Sequence, residues 1–173
     1  FWEMPVIDAP FAGTPGAIRS GFMDMDELLG GFQRSDLVVL AARPSVGKSS
    51  LLLNFARNAA VGQNARVAIF TIEMAGEQLA HRLLASESGV DANRLRLGQR
   101  TEAEEQRLMH ATSVLHGLDI WIDDSSVVTI AQLHAKLRRL AQQLGGVALV
   151  LIDYLQLMEG GGRHRDNRVQ EVS

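Results

Sequence analysis

The stretch Asp36-Leu37-Val38-Val39-Leu40-Ala41-Ala42-Arg43-Pro44-Ser45-Val46-Gly47-Lys48-Ser49-Ser50 decides how the rest of the chain is read. Leu37 to Ala42 is apolar throughout, the pattern of a strand buried on both faces. From Lys48 onward Leu52, Phe55, Ala56, Ala59 and Ala60 fall at helical spacing, and Gly62 stands where a carboxy-terminal cap would end the helix. Between the two lies the pattern of a phosphate-binding loop, with Ala42 where the first glycine usually stands. A Gly-Lys-Ser/Thr triplet alone arises by chance in roughly one chain in ten of this length, but here a strand runs into it and a helix leaves it. Successive backbone N–H groups and the positive end of the helix dipole then converge where a triphosphate would sit. Gly47 lets the backbone approach the phosphates, Lys48 supplies a point charge for the β- and γ-phosphates, and Ser49 offers a hydroxyl to Mg²⁺. The expected ligands are a nucleoside triphosphate and Mg²⁺, and the expected binding residues are Ala42, Arg43, Pro44, Ser45, Val46, Gly47, Lys48, Ser49 and Ser50.

Outward from this unit, short β-branched runs alternate with longer helical stretches, the arrangement of an α/β protein with a mostly parallel sheet flanked by helices. Arg66 to Ile72, Leu118 to Ile122 and Val147 to Ile152 read as further strands. Gln78 to Ser88 reads as a helix through Leu79, Leu83 and Leu84. Thr101 with Glu104, and Thr129 with Gln132, are capping boxes that open two more helices. The second of these carries Ile130, Leu133, Leu137, Leu140 and Leu144 as its inward face and closes at Gly145 and Gly146. Residues 1–20 hold three of the four prolines and read as a linker or docking arm, which leaves 21–173 as the folded domain.

Carboxylates stand at two of the strand ends. Asp153 follows a continuous apolar run, and in open parallel sheets the carboxyl edge of the strands is where ligands bind, so it can share one site with Lys48 and hold the metal. Glu73 ends Ile69-Phe70-Thr71-Ile72 at the same edge and is a candidate to orient an attacking water; a helix-capping glutamate is the plainer reading of the same position. Asp123, Asp124, Ser125 and Ser126 also follow a strand, but turn chemistry accounts for them. The five histidines show no ligand spacing, so no zinc is implied. Lys136, Arg138 and Arg139 read as a solvated helix face, whereas Arg163, Arg165 and Arg168 lie in a glycine-rich loop just after Asp153, a better place to meet a polyanion.

Composition bounds these readings. The 173 residues, 46% hydrophobic and 21% charged, are enough for one globular core. Seventeen Lys and Arg against twenty Asp and Glu argue against coating nucleic acid through overall basicity. No apolar run approaches the ~20 residues of a membrane span. No signal peptide is apparent and there is no cysteine, so a cytoplasmic setting is the default expectation.

Several segments, in order, resemble the carboxy-terminal ATPase domain of DnaB-type replicative helicases, a RecA-like P-loop fold. They are Ser20 to Phe32, Ser35-Asp36-Leu37, Ala41 to Ser45, Glu73-Met74, Arg94 to Gly98, Ile122 to Ser126, Ile152 to Met158 and Asp166-Asn167-Arg168. Alanine for the first loop glycine is typical of that family. The resemblance implies that Lys48 and Ser49 bind ATP and Mg²⁺, Asp153 serves the metal shell and Glu73 activates water. It implies ATP hydrolysis coupled to translocation on single-stranded DNA in a homo-hexameric ring. Primase and a helicase loader would be met through other regions, with no role for a membrane. The family's domain continues past the point matching Ser173, so the γ-phosphate sensor, the DNA-gripping loop and the arginine finger are expected outside this chain, which alone should hydrolyse ATP little. A RecA-like recombinase or clock-type ATPase would share the loop and acids, and Asp153-Tyr154-Leu155-Gln156-Leu157 favours the helicase. A non-catalytic nucleotide- or loader-binding module is the other class, against which Glu73 speaks.

Overall fold

The computed structural model of the chain describes residues 17–43, 45–125 and 129–153. Their order is α1 (Met23–Leu29), α2 (Lys48–Gln63), β1 (Val67–Thr71), α3 (Gly76–Ser88), α4 (Ala92–Arg96), α5 (Glu102–His116), β2 (Ile120–Asp123), α6 (Ile130–Leu144) and β3 (Leu149–Asp153). The three strands are all parallel and lie in the order β2-β1-β3. This is the α/β arrangement expected from the alternation of strand and helix patterns.

β1 sits in the middle because every one of its five residues is apolar or can satisfy its own polar atom, and all five are buried. Successive side chains point to opposite faces. Val67 and Ile69 pack on one side with Leu52, Leu53, Ala56, Ala59 and Ala60 of α2 and Leu79 and Leu83 of α3. Ala68 and Phe70 pack on the other with Leu133, Leu137 and Leu140 of α6. The alanines of α2 let it lie close against the sheet, which carries its amino-terminal end to the strands' carboxyl edge. β2 and β3 flank β1 and are only half covered, with Trp121 and Val150 exposed.

Local chemistry closes the elements. Both anticipated capping boxes form, Thr101 with Glu104 and Thr129 with Gln132. The helix expected to stop at Gly62 runs on to Gln63 and ends at Asn64 instead, whose φ of 50° serves as a left-handed cap that Asn tolerates well. Helix α4, capped by Asp91, had no strong apolar period to reveal it.

Two expectations are corrected. Leu37 to Ala42 forms no strand among the described residues, and Leu37 and Val39 are 87% and 79% exposed. Apolar character signals a preference for burial, but a strand exists only through its neighbours, and no described strand pairs with this run. Ile130, read as inward on α6, is exposed; it is the first residue of the helix, and Leu133 is the residue of α6 that is buried. At the amino-terminal side, residues 1–16 lie outside the described residues. Residues 17–20 dock on the domain: Ile18 and Phe32 exchange backbone hydrogen bonds of 2.8 and 2.7 Å, and Ala17 and Ser20 are buried. Gly21, at φ 81°, is required there, since a Cβ would fall 2.3 Å from the Asn58 side-chain nitrogen. No helix among the described residues is long and apolar enough to cross a membrane.

Helices α2 and α3 are tied by a forked ion pair, Arg57 Nε to Glu87 Oε2 at 2.7 Å and Nη2 to Oε1 at 3.1 Å. The hydrogen bond from Arg57 holds the Glu87 carboxyl below its ordinary value of 4.5, against the opposing effect of burial. A carboxylate whose pKa is depressed by folding stabilises the fold above its unfolded pKa and loses that contribution as pH falls through the folded value. We expect an Arg57→Ala, Glu87→Ala double-mutant cycle in urea to give a coupling on the order of 1 kcal/mol at pH 7, discounted for partial exposure. The coupling should fade as the pH drops below the ordinary carboxylate value and be lost as it passes through the lowered folded one.

Candidate functional site

The site is assembled at the carboxyl edge of the sheet from three segments distant in sequence. The first is the loop entering α2. Ser45 and Gly47 both take left-handed conformations, at φ 64° and 105°, while Val46 between them does not. Such alternation turns successive N–H groups toward one concavity suited to an anion. Gly47 is the cap of α2 and offers no side-chain acceptor, so the first N–H groups of the helix keep their donors for another partner. A Cβ at Gly47 would meet nothing within 4 Å, so the space before the helix is open. Ala42 stays out of the positive-φ region, which explains why alanine is accepted at that place. Arg43, Ser45, Val46 and Ser50 are exposed around the loop, and Pro44 lies outside the described residues.

The second segment is the end of β3. Asp153 is 1% exposed. Ser49 Oγ donates to its Oδ2 at 2.5 Å, and Lys48 Nζ lies 3.1 Å from its Oδ1. Burial of a carboxylate is costly unless it is compensated, and the first turn of α2 supplies both a charge and a hydroxyl. Even so, Oδ1 is buried and accepts no hydrogen bond among the described residues. A carboxylate oxygen with an unused lone pair beside a serine hydroxyl suits Mg²⁺, which takes one or two protein oxygens and completes its shell with water and phosphate. Asp153 and Ser49 are therefore fitted to hold such an ion. No group of three His, Asp or Glu side chains among the described residues is placed to hold a metal.

The third segment is the end of β1. Thr71 pairs with Asp153 in the sheet register, and the Ile72 N–H donates to the Asp153 carbonyl at 2.9 Å. Glu73 follows directly, exposed at the same edge, with no hydrogen-bond or ion-pair partner for its side chain among the described residues. The geometry thus brings Lys48, Ser49 and Asp153 into contact and leaves Glu73 at the same edge of the sheet.

Residues that the sequence pattern assigned to turn chemistry are organised at the end of β2. Asp123 accepts from the Ser125 N–H and hydroxyl, and Lys136 of α6 reaches both Asp123, at 2.6 Å, and Ser125. Burial works to raise the Asp123 pKa, but the hydrogen bonds from Lys136 and Ser125 and the lysine charge outweigh it and hold the carboxyl below its ordinary value. Lys136 is thus partnered rather than merely solvated. Asp124 accepts from the Gly76 N–H of α3 at 2.9 Å, a link that no local pattern announces because 48 positions separate the two. Ser126, Arg163, Arg165 and Arg168 lie outside the described residues.

Similarity to known proteins accords with this geometry. Residues 17–173 match the family model described as DnaB-like helicase C terminal domain. The chain is 50% identical over 161 residues to the replicative DNA helicase DnaB of Synechocystis sp., covering 92% of this chain and 18% of that protein. It is 46% identical to the replicative DNA helicase DnaC of Bacillus subtilis, covering 93% of this chain and 35% of that protein. The chain therefore spans well under half the length of these relatives. Among solved structures, a DnaB-like replicative helicase studied with primase superposes at a TM-score of 0.84 with 26% identity, covering 94% of this chain and 39% of that one. A second solved structure, an ATPase domain, superposes at 0.81 with 27% identity, covering 90% of this chain and 56% of that one.

Removing the lysine leaves the Asp153 carboxylate buried without its opposite charge. We expect Lys48→Ala to destabilise the nucleotide-free chain by ~1–3 kcal/mol, a range set by the cost of an uncompensated buried group. Adding Asp153→Asn should recover most of the loss, because the amide carries no charge to bury. Urea unfolding of the wild type, the single and the double mutant measures this.

Proposed function

The chain belongs to the DnaB-like helicase C-terminal domain family, and from that premise we propose that it is the ATP-hydrolysing motor of a replicative DNA helicase. The observation that carries the reading is the junction of Lys48, Ser49 and Asp153 beneath an open helix amino terminus. A triphosphate seated there meets uncapped N–H groups of the loop and of α2. Lys48 would exchange its contact with Asp153 for the β- and γ-phosphates, and the charge it withdraws from the buried carboxylate would be replaced by that of Mg²⁺ held there. Asp153 and Ser49 present oxygens to Mg²⁺, which when bound neutralises charge on the β- and γ-phosphates. Glu73, one strand away, accepts a hydrogen bond from water and directs its lone pair toward the γ-phosphorus. In this reading the domain works in a cytoplasmic homo-hexameric ring around single-stranded DNA. Primase and a loader are its partners elsewhere on the full assembly, and a neighbouring subunit's arginine completes each site.

In the assembled ring, Lys48→Ala should abolish triphosphate binding. Glu73→Gln should retain binding and lower turnover by about 10²-fold or more. Filter binding of labelled ATP and a phosphate-release assay separate the two, and full turnover by Glu73→Gln would remove the water-directing role. The chain by itself should hydrolyse ATP slowly, since an arginine finger contributes about 10³ or more in rate.

The basic loop with Arg163, Arg165 and Arg168 is assigned to the DNA channel in this proposal, on its place after Asp153 and its charge. Replacing all three arginines should weaken single-stranded DNA binding by the ring and flatten its salt dependence by about two units of slope, at ~0.7 per phosphate contact. Fluorescence anisotropy across a salt series reads this, and an unchanged slope would exclude the three from the channel.

A further inference from the structure

A carboxylate that directs water must be held to within about half an ångström of its working position, yet the Glu73 side chain has no partner of its own among the described residues. What is held instead is its backbone. Glu73 lies in the four-residue link between Thr71, the last residue of β1, and Gly76, the first of α3. The link is pinned at three points. The Ile72 N–H donates to the Asp153 carbonyl. The buried Thr71 hydroxyl accepts from the Met74 N–H at 3.1 Å and donates to the Met74 carbonyl at 2.9 Å, folding the chain back around Glu73. Gly76 N–H donates to Asp124 Oδ2 at 2.9 Å.

The last contact is made across strands. The residue before α3 is Ala75, which has no side-chain acceptor, so a first-turn donor of the helix would otherwise go unpaired. Asp124, just past the end of β2, supplies the acceptor and sets a negative charge at the positive end of the α3 dipole. Gly76 permits the approach: a Cβ there would lie 3.3 Å from the Ile122 side chain and 3.4 Å from the Asp124 carboxylate. Thr71 fixes the near end of the link to the sheet, Asp124 fixes the far end, and Glu73 is suspended between them.

We propose that Asp124, together with Thr71, is a positioning residue for Glu73, acting through the backbone of residues 72–76. The proposal rests on the reading of Glu73 as the water-directing carboxylate. Loss of Asp124 frees the start of α3 and lets Glu73 wander, so turnover falls while nucleotide binding at the α2 loop does not.

The test is single-turnover ATP hydrolysis by the assembled ring for Asp124→Ala and Asp124→Asn, each made alone and with Glu73→Gln. Asp124→Ala should lower the hydrolysis rate about tenfold or more with the nucleotide Kd within about twofold. Asp124→Asn, whose amide oxygen still accepts from Gly76, should restore most of the rate. In the Glu73→Gln background Asp124→Ala should cost nothing further, because there is no carboxylate left to position. Thr71→Val and Thr71→Ser provide the same pair of comparisons at the near end. An equal loss in both Glu73 backgrounds would overturn the proposal and mark Asp124 as merely structural, and so would an undiminished rate in Asp124→Ala. If Glu73→Gln itself turns over normally, the water-directing reading falls as well, which separates that failure from this one.

Discussion

Everything at the site depends on how the fold tolerates one buried carboxylate. Asp153 ends β3 almost without solvent, and such a group is stable as an anion only if opposite charge and hydrogen bonds come to it. The first turn of α2 meets that demand with the Lys48 ammonium and the Ser49 hydroxyl, 105 and 104 positions away in sequence. The same two groups are the ones a phosphate-binding loop directs at a nucleotide. In the proposed function, structural compensation and ligand binding would therefore use one set of atoms, with Lys48 resting on Asp153 when no triphosphate is there.

The buried strand β1 makes that meeting possible. Its two faces anchor α2 and α3 on one side and α6 on the other, which fixes the direction in which α2 presents its amino terminus. Its parallel register with β3 sets Thr71 opposite Asp153 and so delivers Glu73 to the same edge. Its register with β2 brings Asp124 within reach of α3. Three strand ends thus serve one edge, each supplying a carboxylate in a different environment: buried and paired at Asp153, exposed at Glu73, and bound to a helix terminus at Asp124.

The parts legible in the sequence were those governed by short-range rules. The apolar period of Leu52 to Ala60 and the two capping boxes announced α2, α5 and α6. The rule that ligands gather at the carboxyl edge of parallel strands was enough to bring Asp153 to Lys48. The illegible parts depend on partners. Leu37 to Ala42 looks like a buried strand because apolar content reports a residue's preference and not the presence of a neighbour. Gly62 is the better cap by type, yet the helix runs to Gln63 and Asn64, at φ 50° and with its N–H on the Ala59 carbonyl, serves as its cap. Local turn chemistry fits Asp123, which accepts from the Ser125 N–H, but sequence cannot say that Asp124 takes its donor from Gly76 on another element.

In the proposed function the loop from Ser45 to Ser49 and the end of β3 form one nucleotide and metal site. The most direct measurement is amide NMR of this chain titrated with ADP, with and without Mg²⁺. The account predicts that the largest shifts fall on the amides of 45–49 and on Asp153, and that those at Asp153 require the metal. Shifts confined to residues away from that sheet edge, or the same pattern with and without Mg²⁺, would contradict it.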